Sequence, residues 1–188
     1  MMYREQQETE ILTIKARTVT LNLSDADVLR ISEKAGRAGT TVGALLSSFI
    51  GDLVDGTYSN GSDERALAQD WFDRCGFSYE ADKTFLRYLL DYGNVDALIS
   101  SDQAITQNKD DLWELETNPQ KSAEDLEEIQ SLKGDISYWQ SEIDSTFSDF
   151  ITWCQDDPHE SFEEEMKKVR AWANSYAAFL NGTDKERM

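Results

Sequence analysis

A seven-residue spacing of large side chains between residues 122 and 156 constrains the fold of this chain most strongly. One register holds four apolar residues, and the other holds three apolar residues and one threonine: Ile129, Ile136, Ile143 and Phe150, then Leu132, Trp139, Thr146 and Trp153. Two registers that repeat over four heptads predict one long helix with an apolar seam. At ~1.5 Å per residue, that helix would extend roughly 50 Å.

The preceding segment offers a partner for that seam. Leu98, Ile105 and Leu112 also recur at intervals of seven, and Pro119 lies between the two segments, where it cannot interrupt a helix. We therefore predict a long antiparallel helical hairpin over residues 94–156, with the character of a coiled-coil paddle.

The N-terminal stretch RTVTLNL, residues 17–23, alternates with a different period. Val19, Leu21 and Leu23 are apolar, and the residues between them are polar. A period of two predicts a β-strand with one apolar face. Two amphipathic helices are expected to follow, the first of them capped by Ser24. Because no other segment of the chain is predicted to be a strand, we expect this one to pair with the same strand of a second copy.

The order strand, helix, Gly/Thr turn, helix within residues 14–56 resembles the ribbon-helix-helix (Arc/MetJ-like) family of dimeric DNA-binding proteins. The resemblance implies a homodimer whose two-stranded ribbon turns Val19, Leu21 and Leu23 towards the helices. The expected fold class is therefore all-α with one N-terminal β-strand per chain. Its expected parts are a flexible N-terminus at residues 1–13, a ribbon-helix-helix dimerisation module at 14–56, and an acidic helical domain at 62–182.

The same resemblance implies a DNA-binding surface. In that family, outward side chains of the ribbon enter the major groove, and the start of the second helix holds a backbone phosphate through its free amides. The matching positions here are Arg17, Thr18, Thr20 and Asn22 on the ribbon, and Thr40 and Thr41 at the helix start. Two threonines and one asparagine neutralise phosphates poorly, so a module kept only for dimerisation is the alternative.

Charge is distributed unevenly along the chain. The net charge is −19 at pH 7, yet residues 11–56 hold five basic and five acidic residues. Nearly all of the excess negative charge lies beyond residue 56, where it would repel nucleic acid and attract basic proteins. Simple solubility is the alternative explanation. The candidate partner-binding residues are Asp110, Asp111 and Glu114, then Glu163, Glu164 and Glu165 near the start of a final helix expected over residues 158–181.

No arrangement of residues predicts catalysis. His159 is the only histidine, Cys75 and Cys154 are isolated, and no phosphate-binding glycine loop is present. Carboxylate pairs such as Asp110–Asp111 lack the interleaved oxygen ligands of a calcium loop. We therefore expect no enzymatic activity, no cofactor and no metal. The sequence also has no apolar run long enough to span a membrane and no signal-peptide core, which predicts a cytoplasmic protein.

The whole chain resembles, in its general character, a family of anti-CRISPR proteins from mobile elements of gut Firmicutes. The similarity is carried mainly by the stretches FIGDLVDGTYSNGSDERALAQDWFDRCGF and KTFLRYLLDYG. The resemblance implies inhibition of a type II CRISPR effector nuclease, through binding of the nuclease or its guide-RNA complex in the bacterial host. Basic channels of such effectors suit an acidic partner. The alternative is a ribbon-helix-helix transcriptional regulator of a mobile element, bound to double-stranded DNA.

Overall fold

The computed structural model describes residues 8–77 and 82–182, and all regular secondary structure in these ranges is helical. The chain divides into two compact units. The first, named the N-terminal unit, comprises Met1–Ala81 with Ala178–Met188. The second, named the hairpin unit, comprises Asp82–Ala177.

Three helices form most of the described part of the N-terminal unit: α1, Asp25–Arg37; α2, Val42–Leu53; and α3, Ser62–Arg74. The first two begin at predicted caps. The amide of Asp27 donates to the Ser24 hydroxyl oxygen at 3.2 Å, and the hydroxyl oxygen of Thr41 accepts from the amide three residues later at 3.1 Å. Gly39, with a φ of 67°, lets the chain turn between α1 and α2.

The loop after α2 folds back onto that helix. A Cβ atom at Gly51 would lie 2.7 Å from the carbonyl carbon of Tyr58, so only glycine fits this close approach. The backbone and side-chain amides of Asn60 donate to the two carboxylate oxygens of Asp52 at 2.6 and 2.8 Å. These hydrogen bonds, chiefly the backbone one, lower the pKa of Asp52. The only carboxylate of α2 is therefore held by its own unit.

The predicted ribbon strand is absent, and the fold-class prediction is wrong on this point. The described residues contain no β-strand, and residues 14–24 have no regular secondary structure. Val19, Leu21 and Leu23 are exposed. An alternating pattern determines which side chains share a face, but a strand also needs a neighbouring strand to pair its backbone groups. No such neighbour is present in the described part of the chain.

The predicted flexible N-terminus, residues 1–13, lies partly outside the described residues. Residues 8–12 are helical. Further along, Arg17 donates from Nη1 to the carbonyl oxygen of Leu180, which belongs to the C-terminal segment of the same unit. The segment before α1 is thus joined to its unit by a contact between residues far apart in sequence.

The hairpin unit is built from four helices: α4, Phe85–Asp91; α5, Val95–Thr117; α6, Ala123–Cys154; and α7, Phe162–Asn181, of which the residues up to Ala177 belong to this unit. Helices α5 and α6 pack together as an antiparallel pair, as the heptad spacing predicts. A capping box starts α6, because the Asp125 amide donates to Ser122 Oγ at 3.1 Å and the Ser122 amide donates to Asp125 Oδ2 at 2.7 Å.

The core of this unit draws on all four helices. Ile143 and Phe150 from the predicted seam are buried, and Ile136 is half-buried against the same core. Phe85 meets Phe147 edge to face, with ring centroids 5.2 Å apart. The buried core residues, in chain order, are Phe85, Leu89, Val95, Leu98, Ile105, Ile143, Phe150, Cys154, Met166 and Val169.

The final helix starts later than predicted. Residues 158–161 are not helical, and α7 begins at Phe162 because Ser161 supplies its cap. The Ser161 hydroxyl oxygen accepts from the Glu164 amide at 3.4 Å. The ring of Phe162 then packs edge to face on Phe147, with centroids 5.0 Å apart. The helix therefore starts at a serine followed by a packed apolar residue, and not at the preceding proline.

Two polar contacts join α7 to other helices of the hairpin unit. Glu165 is only 1% exposed, and its Oε2 accepts from the backbone amide of Phe85 at 2.8 Å. Its Oε1 pairs with Lys168 Nζ at 2.8 Å. The guanidinium of Arg170 forms two bonds to the carboxylate of Asp102, at 2.8 and 2.6 Å. Glu165 places negative charge at the N-terminus of α4, and the two-bond pair fixes the orientation of α7 against α5.

Candidate protein-binding surfaces

An exposed tryptophan lies among carboxylates towards the tip of the hairpin. Trp113, on α5, is 67% exposed. Asp110 lies one turn before it and Glu114 follows it, and both are exposed. The third predicted residue of this cluster, Asp111, is half-buried, and its Oδ1 accepts a hydrogen bond from Gln107 Nε2 at 2.8 Å. Two of the three predicted acidic residues are therefore available beside the Trp113 ring.

The second arm adds an exposed leucine to the same side of the hairpin. Lys133 Nζ on α6 pairs with Glu116 Oε1 on α5 at 2.6 Å. On α5, Trp113 precedes Glu116 by three residues, and on α6, Leu126 precedes Lys133 by seven. Helical periodicity therefore places Trp113 and Leu126 on the side of the hairpin that carries this ion pair. Leu126 is exposed. We name Asp110, Trp113, Glu114 and Leu126 the hairpin surface.

The other predicted acidic cluster is divided by burial. Glu163 and Glu164 are exposed in the first turn of α7, whereas Glu165 is buried and bonded to α4. Glu164 Oε1 also pairs with Lys167 Nζ at 2.5 Å, and this hydrogen bond raises the pKa of Lys167. Glu165 therefore stabilises the hairpin unit and is not accessible to a partner.

The residues predicted to bind DNA do not form a ribbon face. Three of them are exposed in the segment without regular secondary structure: Thr18, Thr20 and Asn22. Arg17 is half-buried and donates to the carbonyl oxygen of Leu180. At the start of α2, Thr40 is half-buried and the Thr41 hydroxyl accepts from the Ala44 amide. A phosphate at a helix N-terminus is bound by the free backbone amides of the first turn, and the Ala44 amide is one of them. The Thr41 cap therefore competes with phosphate binding.

The N-terminal unit has an apolar surface that the sequence patterns did not identify. Phe49 on α2 and Trp71 on α3 meet with ring centroids 5.3 Å apart, and Trp71 also contacts Phe77 at 6.0 Å. Ile50 adjoins Phe49, and Val54 directly follows the last residue of α2, one turn after Ile50. Leu67 lies one turn before Trp71 on α3. All six residues are exposed, and we name them the apolar face: Phe49, Ile50, Val54, Leu67, Trp71 and Phe77.

One sequence signal could have indicated this surface. Helix α2, VGALLSSFIGDL, has no basic residue and a single acidic residue. A helix that is apolar on most of its sides is normally covered by other elements. In the described structure, Gly51 is the only residue of α2 that is fully buried. The composition of α2 therefore predicts more cover than the described residues of its own unit provide.

No metal-binding arrangement is found in the described part of the chain. No group of three or more His, Cys, Asp or Glu residues there could hold a metal ion. Cys75 is exposed and Cys154 is buried. Burial raises the pKa of the Cys154 thiol, which keeps it protonated and unreactive. His159 Nδ1 lies 3.0 Å from the carbonyl oxygen of Glu160, and no nucleophile is paired with it.

Comparison of the chain with protein-family models, with curated proteins and with solved structures returned no match. Among residues 8–77 and 82–182, no helix combines the length and the apolar character needed to cross a membrane. The hairpin surface and the apolar face are therefore the features from which a function can be argued.

Proposed function

We propose that the protein inhibits a type II CRISPR effector nuclease by binding it through the hairpin surface, in the cytoplasm of the bacterial host. The observation that carries this proposal is the exposure of Trp113 on an acidic helix. A side chain of this size left in water costs free energy without adding to the core. Tryptophan is also among the residues that most often supply the binding energy of protein interfaces.

The charges around Trp113 favour a basic partner. Residues 82–182 hold 22 acidic and eight basic residues, and Asp110 and Glu114 place exposed carboxylates beside the ring. Complementary charge speeds association and disfavours partners of the wrong sign. An effector nuclease carries basic channels for its guide RNA and target DNA. A protein that occupies such a channel needs no catalytic group, and its effect is stoichiometric.

A ribbon-helix-helix regulator is the weaker candidate. That function depends on polar side chains displayed by a paired strand, and the described residues contain no strand. The cap formed by Thr41 also engages an amide at the start of α2. No observation favours this candidate over the inhibitor, so DNA binding enters only as an outcome of the test below.

The proposal includes a homodimer. The apolar face consists of six exposed apolar residues and contains no charged one. Contiguous apolar patches of this kind are uncommon on monomers and mark interaction sites. The ribbon that first suggested a dimer is absent, so a dimer has to be formed by the helices instead.

The test is a cleavage reaction with purified effector, guide RNA and target DNA, titrated with the protein. We expect inhibition to saturate near molar equivalence with the nuclease. The Trp113→Ala variant should inhibit roughly 30-fold more weakly, which corresponds to the loss of about 2 kcal/mol at one interface anchor. The control is Tyr138→Ala, because Tyr138 is also an exposed aromatic of the hairpin but lies outside the hairpin surface.

Two outcomes would count against the proposal in different ways. Complete cleavage at large molar excess across several type II effectors, together with a clear DNA gel shift, would contradict inhibition and support the regulator. If Trp113→Ala and Tyr138→Ala weaken inhibition equally, or if neither variant weakens it, inhibition still holds, but the hairpin surface is not the part of the protein that contacts the nuclease. Circular dichroism of both variants verifies that their helices are intact.

A further inference from the structure

The described residues of the N-terminal unit bury little apolar surface among themselves. Within residues 8–77, the fully buried residues are Ala35, Gly51 and Ala68, so no side chain larger than that of alanine is completely removed from water there. Residues 178–182 of the same unit add no fully buried residue. The burial of large side chains is the main favourable contribution to folding. Three helices without such burial, two of them capped by a side-chain hydroxyl, need an additional surface to pack against.

We propose that a second copy of this chain supplies that surface, and that the two apolar faces pack against each other about a twofold axis. The inference names the surface of the homodimer included in the proposed function, and it rests on that homodimer. It does not depend on the identity of the nuclease. In a twofold contact the same patch serves both protomers, so the patch has to be compatible with itself.

The chemistry of the apolar face meets this requirement. None of its six residues carries a charge, so the six side chains themselves add no repulsion between like charges when two copies of the face are brought together. The one carboxylate of α2, that of Asp52, is held by Asn60 within its own unit. A basic or acidic partner would be selected by charge, and this face has no charge with which to select it.

The charge of the rest of the molecule points to the same contact. Residues 11–56 hold equal numbers of acidic and basic residues, whereas residues 82–182 hold 22 acidic against eight basic ones. Two copies that met through their hairpin units would bring like charges together, which costs free energy. Residues 11–56, which include α1 and α2, are therefore the part of the chain through which two copies can approach each other with the least repulsion between like charges.

The size of the contact also requires more than one helix. A stable dimer buries roughly 800 Å² per partner, whereas a twelve-residue helix is only ~18 Å long. Helix α2 alone is too small, and the ring contacts Phe49–Trp71 and Trp71–Phe77 extend the surface onto α3 and the residues after it. We therefore place Trp71 within the dimer contact together with Ile50.

The first test is the molar mass in solution, measured by light scattering across a concentration series. We expect wild type to have twice the protomer mass of 21.4 kDa at micromolar concentration. Ile50→Glu should raise the dimer dissociation constant by ~100-fold or more, because it places two buried carboxylates in an apolar contact. Leu126→Glu is the matched control, since Leu126 is 56% exposed and Ile50 is 54% exposed. The control should remain dimeric.

A second test requires no substitution, which matters if Ile50→Glu fails to fold. Cys75 is exposed and directly follows the last residue of α3, one turn after Trp71 of the apolar face. Its rate of labelling by a thiol reagent should fall as the protein concentration rises through the dissociation constant.

A wild-type mass of 21.4 kDa at micromolar concentration would overturn the inference and the homodimer together. If wild type is a dimer, but Ile50→Glu does not change its dissociation constant and Cys75 is labelled at the same rate at every protein concentration, the homodimer stands and the apolar face is not its contact. Inhibition of the nuclease is measured separately from both tests.

Discussion

The N-terminal unit and the hairpin unit are both helical, but they differ in how much they bury. The largest fully buried side chains of the hairpin unit are Phe85, Phe150, Leu89 and Met166. The fully buried residues of the N-terminal range 8–77 are Ala35, Gly51 and Ala68. Helix caps are present in both units. The comparison shows that local capping starts a helix, whereas closing a core needs apolar surface from elsewhere.

The hairpin unit obtains that surface from its own chain. The seam of α6 meets α5, and α4 and α7 cover the remaining apolar positions. Two contacts between distant residues then hold the arrangement, namely Glu165 with the Phe85 amide and Arg170 with Asp102. The described residues of the N-terminal unit include exposed apolar side chains but no second layer that covers them. The hairpin unit is closed within one chain, and our proposal is that a second copy completes the N-terminal unit.

The largest effect on the comparison is expected from Phe150→Ala. Phe150 is fully buried and is in ring contact with Phe85 and Phe147. Its truncation should lower the free energy of unfolding by about 3–5 kcal/mol, because it leaves a cavity in the core. Urea unfolding followed by circular dichroism measures this change. Tyr138→Ala is the control, since Tyr138 is exposed, and it should change stability by no more than ~0.5 kcal/mol. Similar losses for both variants would contradict a closed core.

A smaller loss is expected from Glu165→Ala. The substitution leaves the buried amide of Phe85 without its acceptor and removes the carboxylate that pairs with Lys168. The free energy of unfolding should fall by about 1–3 kcal/mol, because a buried hydrogen-bond donor is left unsatisfied. Glu164→Ala removes an exposed carboxylate in the same turn and should cost no more than ~0.5 kcal/mol. If the two variants unfold at the same urea concentration, the buried contact does not hold α7 against α4.

The smallest effects on stability are expected from replacing a glycine by alanine in one helix of each unit, and the two effects should have opposite signs. At Gly134, on α6, an added Cβ atom meets nothing within 4 Å, and Gly134→Ala should raise stability by up to ~1 kcal/mol. At Gly51, on α2, the added atom would lie 2.7 Å from the Tyr58 backbone. Gly51→Ala should therefore lower stability by ~1 kcal/mol or more. If the urea midpoints of the two variants shift in the same direction from wild type, Gly134 does not lie on an open helix face while Gly51 lies on a covered one.

The features that the sequence predicted correctly depend on neighbouring residues. Ser24 starts a helix because its oxygen accepts the amide of the residue three positions later, and such a cap is recognisable in a short window. The hairpin was predictable for a similar reason, because four heptads in phase specify one face of a helix. The predicted burial of Ile143 is confirmed.

The features that the sequence did not predict depend on distant residues. Alternation at Val19 and Leu21 is compatible with a strand, but whether a strand forms depends on a neighbour that the pattern does not supply. Glu165 belongs to a run of three acidic residues, and only the packing of α7 against α4 shows that it is buried. The apolar face joins α2 to α3 through Phe49 and Trp71, and no periodicity within one helix predicts a contact between two helices.

The most direct test of the difference between the two units is amide hydrogen exchange measured at several protein concentrations. If a second copy completes the N-terminal unit, the amides of α2 should become more protected as the concentration rises through the dimer dissociation constant. The amides of α6 around Phe150 should keep the same protection, because their core is closed within one chain. Protection of α2 that is as strong as that of α6, and independent of concentration, would contradict the claim that the N-terminal unit needs a second copy.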